Sequence, residues 1–117
     1  MTKSLVLEKA FDFALRTIKL SRYLVEEKKE FVLSKEILIS GTYIGKHIKE
    51  ALSGEARPIF INEMAAARRK ASETEYWLQL LYHAGFLNEK EFESLETDRK
   101  SLIKMLTSIV KTSKENV

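Results

Sequence analysis

Phe60, Met64, Ala67, Ala71, Thr74, Leu78 and Leu81 follow one another in alternating steps of four and three, in a stretch without glycine or proline. Such a row lies along one face of an α-helix and on no single face of a β-strand. Three further segments carry the same signature. The first holds two adjacent rows: Leu7, Phe11, Ala14, Ile18, Ser21 and Val25, and Val6, Ala10, Phe13, Thr17, Leu20 and Leu24. Together they make an apolar face broader than a two-stranded coiled-coil seam needs, so this helix has partners on two sides. Ile37, Gly41, Ile44, Ile48 and Ala51 mark the second segment, and Phe92, Leu95, Leu102, Met105, Leu106, Ile109 and Val110 the last.

The breaks between segments carry their own signals. Glu26-Glu27-Lys28-Lys29-Glu30 reads as a solvated connection. Ser53-Gly54 closes the second helix, with Gly54 expected as a left-handed cap. Pro58 suits a first helical turn, Gly85 ends the third run, and Asn88 with Glu91 three residues on makes a capping-box start. Gly41 and Gly45 lie inside the second helix, where each costs roughly 1 kcal/mol relative to alanine. Two such residues one turn apart predict a neighbouring backbone at close range. The expected helices cover about residues 4–26, 32–53, 58–85 and 89–113, with Ser113-Lys114-Glu115-Asn116-Val117 fraying. Helices of roughly 30–40 Å with short connections favour antiparallel neighbours. The fold class expected is all-α, an antiparallel up-down-up-down four-helix bundle occupying residues 1–117 as a single domain.

Composition closes off other routes. One proline and four glycines in 117 residues cannot supply the turns of a many-stranded sandwich or barrel. Zero cysteines leave no disulfide, thiolate metal site or thiol nucleophile. There is neither a long apolar run nor a secretory leader, so a cytoplasmic protein with no membrane role is expected. Catalytic constellations are missing too. A bundle di-iron centre needs two Glu-x-x-His pairs, but Ile44 and Leu80 stand three residues before His47 and His83. No arginine lies four to six residues before either histidine, which removes the arginine–histidine pair of bundle ribonucleases. A phosphate-cradling glycine loop and a glycine-flanked nucleophilic serine are absent. Glu73 and Glu75 point to different sides of a helix, and a glutamate holding an arginine or a backbone group is the simpler use. His47 and Glu50, one turn apart in the reverse order, could hold a surface ion, but a solvated pair is the plainer reading. No enzyme, no cofactor and no metal are expected.

Charge is the remaining lead. Twenty lysines and arginines against seventeen acids give a net charge of +3. Lys100, Lys104, Lys111 and Lys114 fall within roughly 80° on the fourth helix, at about 100° per residue. Arg68, Arg69 and Lys70 form a second cluster. These seven residues are the candidate phosphate contacts, set against the plainer reading of a solvated face. Tyr76 and Trp77 have the chemistry of base-stacking platforms, but packing in the core or at a subunit interface is the expected use.

Ser40-Gly41-Thr42-Tyr43-Ile44-Gly45, Glu50-Ala51 and Glu73-Thr74-Glu75-Tyr76-Trp77-Leu78 give the chain a family likeness. With Phe11, Ala14, Phe60 and Ser108-Ile109 it extends over nearly the whole length. The chain resembles the small bacterial four-helix bundle proteins of 23S ribosomal RNA intervening sequences. The resemblance implies a homopentameric, barrel-like ring without enzymatic activity. It also implies kinship with the accessory variability protein of diversity-generating retroelements, a basic pentamer that works with a reverse transcriptase and binds nucleic acid. Family members commonly carry asparagine where His47 stands and an acid near Lys70. Both departures raise local positive charge or its pH dependence.

The expected function is therefore a non-enzymatic, homo-oligomeric binding or scaffold protein, with RNA, DNA or a nucleoprotein as partner. The alternative is a protein–protein adaptor, for example a reverse-transcriptase accessory protein, that never meets nucleic acid. Broad apolar faces on the first helix, and thin alanine- and glycine-rich faces on the second and third, exceed what a lone bundle must bury; that surplus is expected to form subunit contacts.

Overall fold

The computed structural model describes residues 4–54 and 56–116. Four helices follow in order: α1 (Leu5–Glu26), α2 (Leu33–Ser53), α3 (Arg57–His83) and α4 (Glu89–Glu115), with no strand among the described residues. Each helix packs on its chain neighbours, and α4 returns to α1 to close the bundle. The result is an elongated body of 47 × 23 × 20 Å. The expected all-α four-helix bundle is the fold.

Local chemistry sets the helix ends. The Ser4 hydroxyl accepts from the Leu7 N–H at the start of α1. Asn88 and Glu91 form the reciprocal capping box at the start of α4. α2 begins without a side-chain cap at Val32; instead the Glu30 carboxylate accepts from Val32 N at 3.1 Å and Ser34 N at 2.8 Å. A carboxylate at a helix N-terminus satisfies free N–H groups and opposes the positive end of the helix dipole. One member of the charged connection thus has a defined structural task.

Three terminal details differ from the sequence expectation. Gly54 has φ −76° and ψ 148°, an extended rather than left-handed cap. The left-handed positions are Gly85, at φ 87°, and Lys29, at φ 54°, which turns the chain out of α1. Lys29 is a non-glycine residue in a region disfavoured for side chains, and its ammonium donates to the Glu26 carbonyl at 3.0 Å. α4 continues as a helix to Glu115, beyond the expected end near residue 113.

The heptad rows are the core. Val6, Ala10, Phe13, Thr17, Leu20 and Leu24 of α1 are buried, as are Ile37, Gly41, Ile44, Ile48 and Ala51 of α2. Met64, Ala67, Ala71, Thr74, Leu78 and Leu81 of α3 are fully covered, while Phe60 packs against them partly exposed. From α4 come Leu95, Leu102, Leu106 and Val110. The Thr17 and Thr74 hydroxyls are satisfied inside their own helices, by the Ala14 carbonyl at 2.8 Å and the Lys70 carbonyl at 2.7 Å.

The helical glycines do different things. A Cβ on Gly41 would collide with the buried Thr17 side chain, coming within 2.9 Å of its Cβ and closer still to its Cγ2. A Cβ on Gly45 would meet Ala10 at 3.6 Å, an ordinary contact. The thin faces are therefore largely spent inside the chain, with Gly41, Ala67 and Ala71 all buried. That corrects the expectation that they stand surplus for subunit contacts. An apolar surplus stands on α1, where the row from Leu7 to Val25 leaves Phe11 62% exposed with Leu15 and Ile18 beside it.

Gly41→Ala should destabilise the bundle by about 1–3 kcal/mol through overpacking, read as a lowered urea midpoint. Gly45→Ala should be neutral or stabilising by up to about 1 kcal/mol. Thr17→Ser, which removes the offending methyl, should recover part of the Gly41→Ala loss. Equal losses for both glycine variants would contradict the packing account.

Candidate nucleic-acid interface

α3 and α4 border a groove of about 440 Å³ lined by Arg68, Arg69, Ser72, Glu73, Ile103 and Thr107. At ~100° per residue, Lys100, Lys104, Lys111 and Lys114 all stand within about 60° of Thr107 on α4, and all four are exposed. The lysine stripe thus flanks the groove that the two arginines line. None of these six cations forms an ion pair among the described residues. Arg57, not singled out from the sequence, adds a cation at the lower end, where its guanidinium donates to the Ser113 carbonyl at 3.5 Å. The basic half of α4 also has a local rationale, since cations toward a helix C-terminus oppose the dipole.

Lys70 is placed differently. It turns toward α2, with its ammonium 3.1 Å from Glu73 and 5.8 Å from the Tyr43 ring centroid. Sequence adjacency made Arg68, Arg69 and Lys70 one cluster; 200° of helical rotation between the first and last separates them.

The motif residues divide by task. Ser40, Gly41, Ile44 and Thr74 are buried, and Gly45 lies against Ala10. Glu73 pairs with Lys70, and Glu50 with Lys46 at 2.8 Å. Trp77 packs partly buried against the core, whereas Tyr76 is 58% exposed and meets Trp77 edge to face at 5.1 Å. Core packing therefore holds for Trp77 and not for Tyr76.

Two polar clusters cross between helices. Arg99, 4% exposed, donates to Glu96 through Nε and Nη2, to Glu75 Oε2 at 2.9 Å and to the Ala71 carbonyl at 3.5 Å. Glu75 is thus the glutamate that holds an arginine, while the buried carboxylate is Glu96, also 4% exposed. Removing one member of such a network leaves a buried charge, which costs about 3–5 kcal/mol. The signal was present in the gap between Leu95 and Leu102, where the core row passes through Arg99. The second cluster joins α2 to α3. His47 Nδ1 lies 2.8 Å from Glu63 Oε2 and 3.9 Å from Glu50 Oε2. Glu63, sixteen residues from His47, was not singled out.

The hydrogen bond from the Lys46 ammonium holds the Glu50 carboxyl below the usual carboxylate range, with Glu63 a second cause. The same bond raises the Lys46 ammonium above its ordinary value. A lowered carboxyl stabilises the fold above its unfolded-state value and loses that contribution as pH falls through the folded one. At so exposed a pair the effect on stability is small, and NMR titration is the direct readout. Glu50 should titrate below an ordinary glutamate, and Lys46→Met should move its midpoint upward. An unmoved midpoint would remove Lys46 as the cause.

No described helix is long and apolar enough to cross a membrane. No curated protein matches the sequence significantly. Among solved structures, the chain is similar to a Bacteroides thetaiotaomicron protein of unknown function from the S23 ribosomal protein family. The two share 44% identity over 92% of this chain and 99% of that one, with a TM-score of 0.90. A family profile described as 23S rRNA-intervening sequence protein matches residues 2–108. With Gly41 buried at the α1–α2 contact and the Glu73–Leu78 run on α3, sequence and fold agree over nearly the full length. The chain belongs to the 23S rRNA-intervening sequence protein family.

Proposed function

We propose that this protein is a non-enzymatic, homo-oligomeric nucleic-acid-binding scaffold that holds RNA or DNA by its phosphates along the α3–α4 face. The observation that carries the reading is that Arg68 and Arg69 line one groove beside the exposed face of α4 that carries Lys100, Lys104, Lys111 and Lys114, none of the six in an ion pair among the described residues. Cations without a carboxylate partner break no ion pair on meeting a phosphate, whereas Lys70 must first leave Glu73. Lysine and arginine contacts of this kind position a nucleic acid without reading its sequence. The family name points to the same class of partner.

The oligomer rests on a separate feature. Phe11, Leu15 and Ile18 stand one turn apart on the outer side of α1, each more than a third exposed. Exposed apolar clusters of this kind mark interaction surfaces, and a second copy of the chain is the occupant the family resemblance implies. Five copies would raise the net charge from +3 to about +15, strengthening phosphate attraction through summed local charge. Light scattering at micromolar concentration should give a multiple of 13.5 kDa, and Phe11→Glu should reduce it toward one chain. A wild-type mass of one chain rejects the oligomer.

Affinity for a labelled RNA or DNA oligonucleotide, read by fluorescence anisotropy, should fall about a thousandfold between roughly 50 and 200 mM salt if six phosphates are contacted. Lys104→Glu with Lys111→Glu should weaken binding far more than Lys70→Glu. Salt-insensitive binding, or none at low salt, rejects the reading. In that event the protein–protein adaptor, with a polymerase such as a reverse transcriptase as partner, takes its place.

A further inference from the structure

We infer that His47, Glu50 and Glu63 form a binding site for a zinc-class divalent transition metal that clips α2 to α3. One ligand atom from each residue lies within 4.8 Å of the others. Two of the separations, both from His47 Nδ1, are 2.8 Å to Glu63 Oε2 and 3.9 Å to Glu50 Oε2. Ligand atoms around tetrahedral zinc, at bond lengths near 2.1 Å, sit about 3.4 Å apart. The two distances straddle that edge length, so small side-chain rotations bring the atoms to a common centre.

Three features make this more than a surface gathering of acids. The set is mixed, one imidazole nitrogen with two carboxylate oxygens, the donor combination of open zinc sites that complete their shell with water. It is partly sheltered, with the His47 and Glu63 side chains about one fifth and one quarter exposed. Glu50 is also oriented from behind. Lys46 takes its Oε1 at 2.8 Å and leaves Oε2 directed at the imidazole. Such an outer partner fixes a ligand's direction and tunes its affinity. Lys46 and Lys70 are themselves drawn over the Tyr43 ring, at 5.2 and 5.8 Å, and Tyr43 meets His47 edge to face at 6.2 Å. A divalent ion at the centre of the three atoms takes one imidazole nitrogen and two carboxylate oxygens, with Lys46 already offsetting part of the Glu50 charge.

The test is a zinc titration of the whole chain at about pH 7.5, in competition with a chromophoric chelator. One equivalent per chain should bind with micromolar or better affinity. His47→Asn and Glu63→Gln should each weaken it by more than about tenfold, while His83→Asn leaves it unchanged. Zinc should raise the melting temperature of the wild type and not of His47→Asn. Magnesium, which prefers an all-oxygen octahedron, should fail to displace zinc at equal concentration. Absence of stoichiometric binding overturns the site, as does affinity that follows His83 or is indifferent to both His47→Asn and Glu63→Gln. Circular dichroism identifies either variant that fails to fold, and the other then decides.

Discussion

The closeness of α1 and α2 is the constraint on which the bundle rests. Gly41 leaves no room for a β-carbon against Thr17, and Gly45 lies against Ala10 one turn further on. Thr17 tolerates so near a helix because its hydroxyl is already satisfied by the Ala14 carbonyl. Ala67 and Ala71 keep the first half of α3 equally thin. With these three helices drawn together by small residues, the larger side chains of α4 complete the core. The seam between α4 and α1 is left more open. There a groove of about 490 Å³ is lined by Tyr23, Leu87 and Leu95, and Arg16 reaches across to Asp98 at 2.7 Å and to Ser94.

Polar residues divide between locking helices together and facing outward. Arg99 joins α4 to Glu75 on α3, and His47 joins α2 to Glu63 on α3, so α3 is held from both sides by polar contacts above its apolar stripe. Outside these locks, the cations bordering the α3–α4 groove have no carboxylate partner among the described residues. Among these cations, one with a carboxylate partner is held in place, and one without has no ion pair to break. That distinction, more than the net charge of +3, separates Lys70 from Arg68 and Arg69.

Much of the fold was legible because helical period is local. The rows Phe60–Leu81 and Ile37–Ala51, the capping box at Asn88 and the close approach at Gly41 all follow from residues within a few turns of each other. The failures are also local in origin. Gly54 suggested a left-handed cap, but α2 leaves through an extended residue, and the left-handed turn after α1 is made by Lys29, where no glycine signalled it. Tyr76 and Trp77 are neighbours in sequence that a helix points in different directions, one to solvent and one to the core.

By itself the sequence determined which residues share a face of one helix: four apolar stripes and a lysine stripe on the last. Only the tertiary structure decided which faces meet. It brought Glu63 to His47, Arg99 to Glu75, and Arg68 and Arg69 of α3 to a groove shared with Ile103 and Thr107 of α4, while turning Lys70 away to Tyr43. The physical reason is that a helix fixes angles along its own axis through hydrogen bonds four residues apart. The rotation of one helix against another is set by packing between side chains far apart in sequence.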